Sequence, residues 1–244
     1  MLSALEQNFI AYAQSFYTND KSIDRNLQLK LAHSFRVRNE MEKLAQHENF
    51  APNLIKLALR TALLHDLSRF EQFSCFHTFN DAESFDHGDR SAELATESNF
   101  LTDLSDGEQQ DVLTAIRVHN KLAIPDELSG QARTLAQAIR DTDKLDIIPI
   151  LLEHLANPEN KSIVFELSQT PELSPLVRES IARGECPRHC DMRTVTDFIA
   201  SKIVWVNDLN FNWSKREFRR RKYIEQIMKF LPDIPELIEK LSFS

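Results

Sequence analysis

Leu63-Leu64-His65-Asp66-Leu67 closes an apolar run made of Leu54, Ile55, Leu57, Ala58, Leu59, Ala62, Leu63 and Leu64. A helix that is apolar on nearly every side is a buried helix. The run therefore carries an imidazole and a carboxylate, side by side, into the interior of a domain. A buried carboxylate beside a buried histidine is costly unless something compensates it. A metal ion does so most cheaply, because it takes neutral imidazole nitrogen and ionised carboxylate oxygen together.

Working outward, helical spacing recurs along the chain and sustained period-two alternation does not, which predicts an all-α fold. An amphipathic helix over about 2–18 carries Leu2, Leu5, Phe9, Ile10, Ala13 and Phe16. A second spans about Ser22 to Gln46, capped by Ser22 or Asp24, with His33 central and Arg36, Val37 and Glu40 on its face. Pro52 opens the helix that ends in His65-Asp66. Residues 70–87 read as a long connection holding Phe70, Phe73, Phe76, Phe79 and Phe85, and hence as a lid or pocket wall. Helices then run from His87 to about Phe100, from a cap at Asp103 or Ser105 to His119-Asn120, and from Ser129 or Gly130 to about His154. Prolines punctuate 157–190, two helical patterns follow at about 191–209 and 215–230, and a short helix ends the chain. The simplest organisation is one all-α domain over 1–244, with a core at about 20–155 and a helical extension at about 157–244.

Composition narrows the function. Apolar residues make up 42% of the 244, enough for a sizeable core. The four glycines, Gly88, Gly107, Gly130 and Gly184, form no phosphate-cradling loop and read instead as left-handed residues at helix boundaries. A formal charge of −8 argues against nucleic acid as the main partner. No apolar run reaches the roughly 20 residues of a membrane span, and no secretory signal is visible. Three cysteines fit a reducing cytoplasm. Cys186-Pro187-Arg188-His189-Cys190 supplies only three soft ligands and reads as structural or incidental. The basic run Lys215 to Lys222 reads as a solvated face paired with Glu217 and Glu225. Trp205 and Trp213 read as core.

The chemistry-bearing residues fall in the order His33, His65-Asp66, His87, His119 and Asp143, the last inside Asp141-Thr142-Asp143-Lys144-Leu145-Asp146. The order His, His-Asp, Asp resembles the signature of the HD-domain superfamily of metal-dependent phosphohydrolases, over roughly residues 20–155. That resemblance implies a helical bundle around a buried metal site, with His33, His65, Asp66 and Asp143 as ligands. Asp143 is preferred to Asp141 because it directly precedes Lys144-Leu145, a basic-then-apolar pair; Asp141 and Asp146 then stand behind the ligands or face solvent. Some relatives add histidines and bind two metals. In that pattern Asp66 bridges, and His87 and His119 hold the second ion; alternatively, both histidines touch substrate. Asn120 stands where some cyclic-dinucleotide phosphodiesterases of the superfamily have a histidine, and their Gly-Tyr-Pro motif is absent, so the match to that branch is weak.

The donor set suits Mn, Fe, Co, Ni, Mg or Zn, as one or two divalent ions. Asp66 and Arg69 are the catalytic candidates, Arg69 as a phosphate receiver or as the partner of Glu71 or Asp81. Lys144 and Lys121 read as solvated. The expectation is a cytoplasmic hydrolase of a small-molecule phosphoester, possibly a nucleotide, with no membrane partner. Two other readings stay open: an HD-fold di-iron oxygenase using the same ligands, and a non-catalytic binding or regulatory module.

Overall fold

A computed structural model describes residues 2–157 and 167–232. Among them every regular element is a helix, and the one β pairing is an isolated parallel bridge between Ser168 and Thr194. No helix of the described residues is long and apolar enough to cross a membrane. The chain divides into two compact units, Met1–Asp146 and Ile147–Ser244.

The first unit contains α1 (Ala4–Gln14), α2 (Lys21–His47), α3 (Pro52–Leu64), α4 (Arg69–Phe76), α5 (His87–Glu97), α6 (Asp106–Val118) and the first part of α7 (Gly130–Ala156). The Ser3–Glu6 capping box starts α1, and its buried Phe9 and Ala13 mark the core face. Asp20 caps α2, correcting the expectation of Ser22 or Asp24: its carboxylate accepts from the Ser22 and Ile23 amides. Asp24 instead accepts from the amides of Thr18 and Asn19, closing the turn before the helix. Along α2, Leu27, Ser34, Val37, Met41 and Leu44 are buried at three- and four-residue spacing, so one stripe faces α3 and α4.

The apolar run is α3, with Pro52 in its first turn. Leu57, Ala58, Leu63 and Leu64 are fully buried, as is Leu67 just beyond. Its one buried cation, Arg60, is answered by the Asp103 carboxylate and the Phe100 carbonyl. The helix stops at Leu64; two successive turns, Leu67 N–H to Leu64 O and Arg69 N–H to Asp66 O, carry the chain into α4.

Here the structure corrects the sequence reading. Residues 70–87 are not one long connection. Residues through Phe76 are helical in α4, and Phe70 is core, its ring 5.9 Å from Phe9, 6.2 Å from Tyr12 and 6.2 Å from Phe16. The phenylalanines that suggested a lid follow helical spacing at Phe70 and Phe73, and burial of that stripe outweighs the aromatic richness as a structural signal. His77 ends α4 in the left-handed conformation, and only 77–86, with a 3-10 turn at Asp81–Glu83, remains as a connection.

Asp86 caps α5, and Ser105 with Glu108 forms the capping box of α6. These two helices pack closely. Gly88 explains how: a Cβ there would lie 2.5 Å from Asn120 Oδ1 and 3.0 Å from the Arg117 carbonyl. Its role is close approach, not a left-handed turn; positive φ occurs at Gly130 and Gly184.

The second unit holds α8 (Pro175–Ala182), α9 (Val195–Ala200), α10 (Asn212–Arg220) and α11 (Tyr223–Met228). Leu173, Val177, Ile181, Ala200 and Val204 form its core, with Cys186 packed against it. Asp197 ties it locally, accepting from Ser174 and from the Arg193 and Thr194 amides. Glu217 pairs with Arg220 and Arg221, and Trp213 is buried. The terminal helix expected from the sequence lies outside the described residues.

Candidate metal centre

Four histidines and two aspartates from five places in the chain converge. His33 comes from the middle of α2; His65 and Asp66 from the end of α3; His87 from the first position of α5; His119 from the end of α6; and Asp143 from α7. All four imidazoles and Asp66 are at least nine-tenths buried. The described residues contain two groups whose ligand atoms lie within 4.8 Å of one another: His33, His65 and Asp143, and His65, Asp66 and His119.

Each imidazole is oriented through its Nδ1. His65 Nδ1 donates to the Ala62 carbonyl at 2.9 Å, and His119 Nδ1 donates to the Ile116 carbonyl at 2.6 Å. Both acceptors belong to the last turn of the histidine's own helix, where carbonyls are open to side-chain donors. His33 Nδ1 is held by Asp146 at 2.7 Å, and His87 Nδ1 by Asp81 at 2.5 Å. Ligand histidines are ordinarily tethered this way, with the second nitrogen aimed at the ion.

The four Nε2 atoms accordingly point inward. His33 Nε2, His65 Nε2 and Asp143 Oδ1 are buried and have no hydrogen-bond partner. His33 Nε2 and Asp143 Oδ1 lie 3.1 Å apart without completing a hydrogen bond. His87 Nε2 and His119 Nε2 face each other at 3.1 Å. Buried polar atoms without partners are rare and costly. A cation among them satisfies all at once, so the donor set fits a metal.

Asp66 stands between the two halves. Its Oδ2 lies 3.5 Å from His33 Nε2 and 3.7 Å from His65 Nε2. Its Oδ1 lies 3.6 Å from His87 Nε2 and 3.9 Å from His119 Nε2. Two cations flank it: Lys30 Nζ at 2.9 Å from Oδ2, and Arg69 Nε at 3.4 Å from Oδ1. Burial alone would raise the Asp66 carboxyl, but Lys30, His65, Arg69 and His87 outweigh it and hold it well below the usual carboxylate range.

The structure thus brings all of the expected residues together. Arg69 is half-buried: it lies beside Asp66 and pairs with Asp81 at 2.9 Å, one of its two expected partners, and it also binds Gln72 and the Phe79 carbonyl, while Glu71 pairs with Arg90. Arg36 reaches the rim and clasps Asp146 through two nitrogens. Asp146 is buried behind His33, and Asp141 is fully buried and belongs to neither ligand group. Lys144, expected on a solvated face, is buried. Lys121 pairs with Asp86 and Asp89. Asn120 donates to Asp86 and Asp81, and the same nitrogen lies 3.3 Å from His87 Nδ1. Sequence reasoning missed Lys30, although it stands one turn before His33 on the same face, where the helical period places it.

The imidazoles divide electrostatically. Burial, reinforced by His87 and His65, pushes His119 down to about 3. Burial and Arg69 lower His87. For His33, burial is outweighed by Asp143 and Asp146, and the ring is raised. Linkage fixes the sign of the stability effect in the metal-stripped protein. Above the ordinary histidine value of 6.5, the folded chain keeps a proton on His33 that the unfolded chain has lost, so the contribution of His33 falls as pH rises. Below 6.5, the unfolded chain protonates two rings, His87 and His119, that the folded chain keeps neutral, so stability falls as pH drops. Two lowered rings outweigh one raised ring at pH 6.5, so the thermal midpoint of the metal-stripped protein is expected to fall as pH drops from 6.5 toward 5. A midpoint that holds steady or climbs over that fall in pH would contradict the lowered values of His87 and His119.

Among known proteins, the model of the family described as HD domain matches residues 31–148, which contain all six converging side chains. No curated protein and no solved structure matches the chain. Residues 31–148, just under half of the chain, are thus similar to the HD domain, a metal-dependent, hydrolase-like family, and they gather histidines and aspartates in one buried site.

Proposed function

We propose that the protein is a metal-dependent phosphohydrolase acting on a small phosphoester. The observation that carries this reading is Asp66, whose two oxygens face two separate groups of imidazoles while two cations stand beside it. His33, His65, Asp66 and Asp143 would hold one divalent ion, and Asp66, His87 and His119 a second. Bound divalent ions supply water of lowered pKa and take up charge on phosphoryl oxygens.

The chain's own residues supply the rest. Asp66 is kept ionised by its cationic neighbours, so it is ready as a ligand without losing a proton. Asp143, which burial would raise, is held well below the usual range by His33 and His65 and is equally ready. Lys30 and Arg69 bring positive charge to one side of the site, which favours an anionic substrate. Both approach the Phe79 ring, Lys30 Nζ at 5.1 Å and Arg69 Cζ at 5.9 Å from its centroid. Phe79 thereby narrows the freedom of both side chains at the place where a phosphoryl group would be received.

The test joins elemental analysis of purified protein to an anaerobic panel of nucleotides and sugar phosphates. Two equivalents of metal and phosphate release without oxygen are expected. Iron with oxygen uptake and no phosphate release would replace the proposal with a di-iron oxygenase. Nucleotide binding with no turnover in the metal-loaded protein would replace it with a binding module.

A further inference from the structure

The four imidazole tethers are unequal. Three lie on helices: His65 and His119 are held by carbonyls of their own helices, and His33 by Asp146 on α7. The fourth does not. His87 is held by Asp81, which belongs to a single 3-10 turn within the 77–86 connection.

Asp81 has a wide reach for a residue in a connection. Its Oδ2 accepts from His87 Nδ1 at 2.5 Å and from the His87 amide at 3.2 Å. Asn120 Nδ2 approaches the same oxygen at 3.3 Å. Its Oδ1 accepts from Arg69 Nη1 at 2.9 Å and from Gln72 Nε2 at 3.1 Å. The turn is closed locally, with Asn80 Oδ1 accepting from the Ala82 amide and Ser84 Oγ donating to the Asn80 carbonyl. One carboxylate therefore fixes a ring of the His87–His119 pair, a cation beside Asp66, and the path of the connection.

From this we infer that Asp81 is a positioning residue that couples occupancy of the second metal position to the order of residues 77–86. The first position, built on helix-borne tethers, is ready before any ion arrives. The second is completed only when the connection places Asp81 behind His87. By reciprocity, an ion held through His87 Nε2 steadies the Nδ1–Asp81 bond and so steadies the connection. The inference rests on the two-position reading of the six ligands given above.

The experiment titrates the metal-free full chain with Mn²⁺ alone, counting free ion by electron paramagnetic resonance, and follows hydrogen exchange of the 77–86 amides at each equivalent. The wild type is expected to take up two equivalents, with exchange in 77–86 slowing on the second and not the first. In Asp81→Ala the first equivalent should bind as before, and the second should weaken by about 10–100-fold, the range for loss of such a tether. Its addition should no longer slow exchange in 77–86. Asp81→Asn, whose amide oxygen still accepts from His87 Nδ1, should fall between the two and guards against a variant that fails to fold. Two equivalents at unchanged affinity in Asp81→Ala would overturn the inference alone. A wild type that takes up one equivalent would overturn the two-position reading and the inference with it.

Discussion

Asp66→Ala is expected to lose all bound metal and to hydrolyse phosphoesters at least about 10³-fold more slowly, a larger loss than removing one hydrogen-bond donor from an active site. The expectation follows from position. Removing Asp143 takes an oxygen from the His33–His65 half alone, and removing His119 takes a nitrogen from the other half alone. Asp66 lies within 4 Å of all four Nε2 atoms, at 3.5, 3.7, 3.6 and 3.9 Å. Its loss also leaves Lys30 and Arg69 without the anion between them. Breaking a buried ion pair commonly costs about 3–5 kcal/mol. Lys30 retains a route to water, its side chain being 16% exposed, so the effect on folding should lie toward the low end. Asp66→Asn preserves the volume and separates charge from packing: it should fold well and still bind poorly. Elemental analysis of both variants decides the matter, and full metal content in either would refute the assignment of Asp66.

The second large effect is on stability. Phe70→Ala should destabilise the first unit by about 3–5 kcal/mol, the range for emptying a buried aromatic site. Phe70 is completely buried and meets three other rings from α1 and its end. A small-domain stability of about 5–15 kcal/mol leaves little margin after such a loss. Phe76, six residues later on the same helix and 47% exposed, should change stability by less than about 1 kcal/mol when cut to alanine. Urea unfolding midpoints of the two variants give the comparison. Equal midpoints would mean that this stretch is a mobile wall after all.

That contrast shows what could be read in the sequence and what could not. The apolar run ending in His65-Asp66 was legible because its composition leaves no exposed face, and burial then forces a partner for the carboxylate. Asp143 was legible through the resemblance it completes. The segment 70–87 was misread because five aromatic residues dominate its appearance, while the helical spacing of Phe70 and Phe73 is only a turn long. The cap of α2 was misplaced because Asp20, Ser22 and Asp24 are all good cap residues, and the choice depends on which carboxylate the Thr18–Asn19 turn consumes. Asp81 stood out only as one possible partner of Arg69. Its importance comes from meeting Arg69, Gln72 and His87 at once, and such a meeting exists only after folding.

The His33–Asp146 bond joins positions 113 residues apart in the chain. Nearly the whole of the first unit hangs between them as one closed ring, with α3 to α6 inside it. An ion shared by His33 and Asp143 would fasten the same two strands of chain, as a clasp does. Covalent cross-links across rings of about 100 residues restrict the unfolded chain by roughly 4.7 kcal/mol in entropy models. A coordinate clasp gains that benefit only while it stays shut. Chelation should therefore be felt as a mechanical loosening of the entire unit, with protease sites opening far from the ion, and not solely as a missing reagent in a reaction.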